Sequence, residues 1–399
     1  MPAVLYFLAL AVFAQGTSEF VLAGLLPDIA LDLGVPLGQA GSLTSAFAVG
    51  MVIGAPTMAA VSRRLSPRWT LTGFLAVFIA VHIIGALTDD FGVLFTTRVI
   101  AAFANAGFLA VTLSTVTRLV SPARQARALS VILGGTTLAL IVGVPMGALV
   151  GSALGWRATL GAIAAISLPA LVAVVITTPT RAGDRAPATK GQTLAREFGA
   201  LRARPVQLAM MLAILVNAAT FCSFTYLAVV ASGPAGITEA QIPLLLAVFG
   251  IGAFGGVTLS GMYADAHWRC MIGVSGPLLL LGWGLFALLF EQPVAIWMLA
   301  LVQGVLSFAL GSTLIARIVA SASDTAPAMG GSFATVALNL GAVIGPIAGG
   351  FALEVTGVRG PLLVSTDFSL VAVVLWAIIR IIALITGVFL KVTKRAARR

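Results

Sequence analysis

Apolar stretches close to twenty residues long recur along this whole chain, separated by short polar connections. They fall at 4–26, 39–61, 70–88, 92–116, 128–151, 158–177, 206–231, 240–262, 270–289, 294–316, 329–353 and 361–379. An α-helix of about 20 residues crosses the hydrocarbon core of a bilayer, whereas barrel strands are stretches of about 10 alternating residues. The pattern therefore predicts an all-α membrane protein with twelve transmembrane helices. Composition agrees: 9% of the 399 residues are charged, against about 25% in soluble domains. Further spans follow the first stretch, which has no small-residue cleavage site, so it reads as retained rather than as a signal peptide.

The formal net charge is +10. A basic chain raises the question of nucleic acid, but the distribution of the charge points to topology instead. Arg63, Arg64, Arg68, Arg118, Arg124, Arg127, Lys190, Arg202, Arg204, Arg269 and Arg317, with the 391–399 tail, lie on one side of the expected helices. The other side holds Asp28, Asp32, Asp89, Asp90, Glu239, Glu291 and Glu354, with Arg157 and Arg359 as the opposing charges. The positive-inside rule then makes both termini cytoplasmic. No metal-ligand cluster stands out, and Cys222 and Cys270 read as isolated thiols. No Gly-x-x-x-x-Gly-Lys-Ser/Thr motif points to ATP, so a cofactor-free process driven by an ion gradient is expected.

Residues 179–205 interrupt the apolar pattern with a basic, Pro-containing linker. They divide the chain into 1–178 and 206–399, six stretches each. The halves echo one another: Val144-Pro145-Met-Gly147 precedes Gly155-Trp-Arg157, and Gly345-Pro346-Ile-Ala-Gly349 precedes Gly357-Val-Arg359. Paired six-helix bundles are a common build for secondary transporters.

Two charges stand inside this apolar background. Glu19 is the one charged side chain between Met1 and Pro27. A carboxylate at membrane depth costs roughly 2.5–3.5 kcal/mol even on insertion scales, and it marks a functional position by default. Burial makes such a group a candidate proton carrier. Arg98 lies within the fourth stretch and stays protonated, so its expected part is to bias a carboxylate or to bind backbone and substrate. The plain alternative is an arginine that only pins two helices together. Asn105, seven residues on, shares its helical face, and Arg98, Ala102, Asn105 and Leu109 are expected to look into a central cavity.

Thr17-Ser-Glu19-Phe with Leu25-Leu-Pro27-Asp28, Leu94-Phe-Thr-Thr-Arg98 with Asn105-Ala-Gly107, and Gly143-Val-Pro145-Met-Gly147 with Gly155-Trp-Arg157 together carry a resemblance. So do Arg63-Arg64 in the second connection and Gly261-Met-Tyr-Ala-Asp265 in the second half. The chain resembles the major facilitator superfamily, and within it the twelve-helix drug:proton antiporters. Ala14-Gln-Gly-Thr-Ser-Glu-Phe and the run from Leu43 to Pro56 resemble actinobacterial chloramphenicol-resistance exporters. The resemblance implies proton-coupled efflux by alternating access from the bacterial cytoplasmic membrane, by a monomer, with Glu19 and Arg98 in proton coupling. It implies conformational roles for Arg63, Arg64, Gly143, Pro145, Gly147, Asp265 and Pro346. Glu19, Arg98, Asn105, Asn217, Phe221, Phe308 and Asn339 are the candidate substrate contacts. The amides read equally as interhelical glue, and the aromatics equally as packing. The family's acid before Arg63 is missing here, and the tail after Arg380 departs from the pattern. Asp367 reads as a peripheral acid near the lipid. A metabolite exporter on the same fold, or a membrane receptor that transports nothing, are the competing readings.

Overall fold

The computed structural model describes residues 4–61, 66–119, 122–178, 198–323, 326 and 329–396, with the side chains at 59–61, 114, 116–119, 122–127, 129–130, 265 and 383–396 set aside. Every regular element among these residues is helical. The helices are α1 (Val4–Phe20), α2 (Leu26–Asp32), α3 (Leu37–Val61), α4 (Pro67–Leu87), α5 (Phe91–Leu119), α6 (Pro122–Leu138), α7 (Val144–Leu154) and α8 (Trp156–Thr177). They continue as α9 (Arg204–Thr225), α10 (Leu227–Ser232), α11 (Ile242–Leu289), α12 (Pro293–Ala322), α13 (Gly330–Thr356) and α14 (Gly360–Ala396). Proline opens α4, α9 and α12, where its missing N–H is no loss and its fixed φ suits the first turn.

Among the described residues, eleven helical spans are long and apolar enough to cross a membrane. The last, Gly330–Ile382, is 53 residues long and takes in both α13 and α14, with the turn Gly357–Arg359 between them. Two breaks and one fusion depart from the simple stretches. The first stretch is cut by a 3₁₀ turn at Val21–Gly24, and the seventh breaks at Tyr226. The eighth and ninth run together as the 48-residue α11, kinked at His267. Residues 262–270 hold no Gly or Pro to stop a helix. Forty-eight residues at about 1.5 Å each would far exceed a bilayer, so α11 comprises two spans that meet at the kink at His267.

The repeat seen in the sequence has a physical meaning. Gly155 ends α7 with φ 85°, and Gly357 ends α13 with φ 74°. Each N–H caps the helix before it, at Gly151 and Leu353 respectively. L side chains rarely adopt this conformation, so glycine recurs at both corners. The arginines two residues later differ. Arg157 pairs with Asp32 and, at 2.5 Å, with Asp89, and donates to the Thr88 carbonyl at 3.1 Å. The Arg359 Nε is buried without a partner.

The packing of the two halves is also matched. On α7 and the turn before it, Gly143, Gly147 and Gly151 lie against Thr17, Val21 and Leu25. On α13, Gly341, Gly345 and Gly349 lie against Asn217, Ala218 and Cys222 of α9. A methyl group at any of these six glycines would press on its neighbour, so glycine sets the helix spacing. Pro145 has no N–H to return to Ile141, and the helix widens into a π-turn at Ala139–Gly143 just before it.

Candidate functional site

Arg98 projects from α5 into the interior and is 2% exposed. Its guanidinium donates to Ser18 Oγ at 2.8 Å and to the Ser18 carbonyl at 2.5 Å. It also stacks over Phe47 of α3, 4.7 Å from the ring centre. The carbonyl is available because α1 ends two residues later, and the last carbonyls of an α-helix lack an intrahelical donor. Those carbonyls carry the negative end of the helix dipole, which favours a cation. The break at Val21–Gly24 is thus what makes room for the arginine.

Ser18 is shared with a residue that the sequence reading left out. His82 on α4 is buried, with Nδ1 2.7 Å from the Phe78 carbonyl and Nε2 2.7 Å from Ser18 Oγ. A carbonyl only accepts, so Nδ1 carries a proton. Nε2 can then accept from the Ser18 hydroxyl, whose oxygen accepts from Arg98. The relay is closed with a neutral imidazole. His82 is one of two histidines and stands within an apolar stretch. The rarity argument applied to Glu19 would have found it.

Glu19 is half-buried and makes no hydrogen bond or ion pair among the described residues. Arg98 is near enough for its charge to act on the carboxylate, but its donors go to Ser18. Next to it, Phe20 reaches the second half, with its ring 5.9 Å from Phe221 of α9. From there the rings continue: Phe221 to Phe224 at 6.1 Å, Phe224 to Phe249 at 4.7 Å, and Phe249 to Phe308 at 6.2 Å. Glu19 is thus the sequence neighbour of the residue at which an aromatic row crosses between the halves.

The face of Arg98, Ala102 and Asn105 turns toward α1 and α3 rather than into an open cavity. Gly50 and Gly54 of α3 admit α5 closely, the first against Ala102 and the second against Ala106. Asn105 is buried there, with its Nδ2 3.8 Å from the Met51 sulfur. The second-half amides act within and between helices. Asn217 donates to the Leu338 carbonyl at 2.6 Å, joining α9 to α13. Asn339 bonds Thr335 on its own helix, and Gln303 donates to the Leu279 carbonyl. Pro346 offers its carbonyl to the Tyr226 hydroxyl at 2.8 Å. Asp367 is exposed on α14. Arg63 and Arg64 lie outside the described residues, as does the Asp265 side chain.

One end of the bundle is fastened between the halves. Leu26, Ala30 and Ala40 pack with Tyr226, Val229 and Leu353, and Ser45 donates to the Val343 carbonyl at 2.9 Å. Beside this seal lies a cavity of about 320 Å³, bordered by Asp28, Gly151, Ser152, Ser232 and Glu239. The Asp28 carboxyl is pushed up from 3.8 by desolvation at the rim and, secondarily, by the Glu239 charge. Hydrogen bonds from Arg157 and Trp156 hold Asp32 below its ordinary 3.8.

Residues 8–336 match the family model of the Major Facilitator Superfamily. The chloramphenicol resistance protein of Streptomyces lividans is 52% identical over 363 residues, covering 91% of this chain and 92% of that protein. The inner membrane transport protein YdhP of Escherichia coli (strain K12) is 31% identical over 348 residues, covering 86% and 87%. A bacterial homologue of the human lysosomal transporter Spinster shares the fold with a TM-score of 0.76 at 17% identity, covering 94% of this chain and 96% of that one. The nucleoside transporter NupG does so with a TM-score of 0.75 at 15% identity, covering 94% and 98%. This is a transporter family and not an enzyme family, and the chain, a multi-pass membrane protein, belongs to the Major Facilitator Superfamily.

Proposed function

We propose that this transporter exports a small, neutral, amphipathic drug of the chloramphenicol class from the bacterial cytoplasm in exchange for protons, by alternating access. The observation that carries the reading is Glu19: a carboxylate in an apolar helix, without a bonded partner, beside a buried arginine committed elsewhere. An acid left free in this way can gain and lose a proton without breaking a structural bond. Identity of 52% to a chloramphenicol resistance protein supports the substrate class.

In this reading the chain crosses the membrane twelve times, α13 and α14 counting separately, as six-helix bundles 1–178 and 206–399 joined by 179–205. Both termini are cytoplasmic, because the arginine-rich connections lie on their side. The fastened end is then the outer end. Drug contacts the aromatic row from Phe20 through Phe221 to Phe308, near Glu19. The proton and drug exclude one another at Glu19, so each outward drug is exchanged for inward protons. Asn217 and Asn339 act chiefly in packing, which leaves few hydrogen-bonding groups for a sugar-like substrate. The protein works as a monomer.

The test is drug efflux from proteoliposomes across an imposed pH gradient. Glu19→Gln resembles the protonated acid permanently and is cheaper to bury than a charge. It is expected to fold and to bind drug, and to lose uphill export. Gradient-driven export equal to the wild type would remove Glu19 from the mechanism.

A further inference from the structure

The geometry points to a binding site for one anionic phospholipid in the second bundle, at the end where α9 begins and α12 finishes. A cavity of about 270 Å³ lies there, lined at its polar level by Arg204, Arg317 and Ser321 and by the rings of Trp268 and Trp376. The two indoles meet edge to face at 6.0 Å. The Arg317 guanidinium lies over Trp268 at 4.0 Å, with Arg269 over the same ring at 5.0 Å. Arg380 lies over Trp376 at 5.9 Å. Three arginines thus lie over two tryptophans, a fourth, Arg204, borders the same cavity, and none has an ion-pair partner among the described residues. Asp265, three residues before Trp268, contributes at most one negative charge against four positive.

Like charges gathered at the end of a membrane helix call for an anion. The shape of the site says which kind. Below the arginines the wall becomes wholly apolar, with Leu208, Leu212, Ile272, Leu314 and Ile379. A narrower apolar cleft, reaching Val216, Pro277 and Leu310, shares Leu212, Ile272, Leu314 and Trp376 with this wall. The slot therefore runs from a cationic rim down between α9, α11, α12 and α14. Its order of arginine, tryptophan and aliphatic wall is the order of phosphate, interface and acyl chain in a bilayer. A free phosphate uses the rim alone, whereas a phospholipid fills both rim and slot. The site is remote in character from Glu19 and independent of the drug–proton reading.

The kink at His267 gives the site a purpose. Trp268 and Arg269 follow it directly, so a bound lipid would brace α11 where its two spans meet.

The test uses the full-length protein in detergent, titrated with phosphatidylglycerol or phosphatidylcholine and followed by native mass spectrometry. Wild type is expected to retain one phosphatidylglycerol at least fivefold more strongly than phosphatidylcholine. Arg204→Gln with Arg317→Gln should abolish that preference, while Arg68→Gln, which removes a charge from the other bundle, should leave it. Leu212→Trp fills the slot and should weaken binding with every arginine in place. Inorganic phosphate at millimolar levels should not displace the lipid; displacement would make this a free-anion site and overturn the proposal. Equal losses in Arg68→Gln and the double variant would show general surface attraction and also overturn it. Should the variants fail to fold, a photoreactive phosphatidylglycerol on wild type decides the matter. Crosslinks around 204–212 and 268–272 support the site, and crosslinks confined to other helices refute it.

Discussion

Ser18 holds together three helices with one side chain. It accepts from Arg98 on α5 and donates to His82 on α4, while its carbonyl takes a second Arg98 donor. Removing the hydroxyl strands two buried groups at once, and an unsatisfied buried donor or acceptor costs about 1–3 kcal/mol. Ser18→Ala is therefore expected to lower the thermal midpoint in a fluorescence unfolding assay. Arg98→Lys should do the same, because an ammonium cannot make both bonds and stack on Phe47. An unchanged midpoint in Ser18→Ala would show that the relay contributes nothing to stability. Glu19 and Arg98 were legible in the sequence because charge is rare and costly in an apolar helix. Ser18 was not, since a serine is cheap anywhere in a membrane helix. Its partners lie 64 and 80 positions away, and no periodicity links them.

At the scale of the element, hydropathy located the spans but not their breaks. Tyr226 interrupts a helix whose local sequence is apolar and holds no Gly or Pro, while the turn at Val21–Gly24 stands just before Pro27, which returns no N–H to Ala23. Those interruptions answer to tertiary demands: a carbonyl for Arg98, and a hydroxyl from Tyr226 that reaches Pro346. The glycine motif of α7 was legible, and its partner α1 was not. The steric account gives a graded expectation. Gly147→Leu meets Val21 and Thr159, and Gly345→Leu meets the backbone of Ala218 and Cys222. Overpacking costs about 1–3 kcal/mol, with the larger loss expected at Gly345, where rigid backbone must give way. Gly161→Leu, which meets nothing within 4 Å, should be tolerated. Recovery of monodisperse protein by size exclusion ranks the three, and equal recovery would refute close packing as the reason for these glycines. Pro145→Ala is a different matter. It supplies the missing N–H to Ile141, so the π-turn should relax toward regular helix. The expected result is a stable protein that transports more slowly, and full transport would show that the widened turn is incidental.

For the molecule as a whole, the question is what biases the fastened end. Asp28 from the first half and Glu239 from the second border one cavity there, and closure brings their charges together. The Asp28 carboxyl lies above 3.8 in this closed arrangement, from desolvation first and Glu239 second. Opening would hydrate and separate the two acids and return Asp28 toward its ordinary value. The closed state therefore binds a proton more tightly, so acid on that side favours closure and rising pH above 3.8 favours opening. Asp32 contributes in the opposite sense. Its carboxyl is held below 3.8 by Arg157 and Trp156, so it remains charged through this window and loses its bonds only in stronger acid. A cysteine placed at Ala228, which lines the cavity and is buried in this closed arrangement, reports the mouth directly. Its labelling by a membrane-impermeant maleimide, corrected for thiol ionisation with an exposed reference cysteine, should rise severalfold from pH 4 to pH 7. Asp28→Asn keeps the size of the side chain but cannot titrate, so the mouth should favour closure at every pH and the labelling should stay flat and low. If labelling in Asp28→Asn follows pH as steeply as in the otherwise unaltered protein, the coupling between external acid and the mouth lies in other groups.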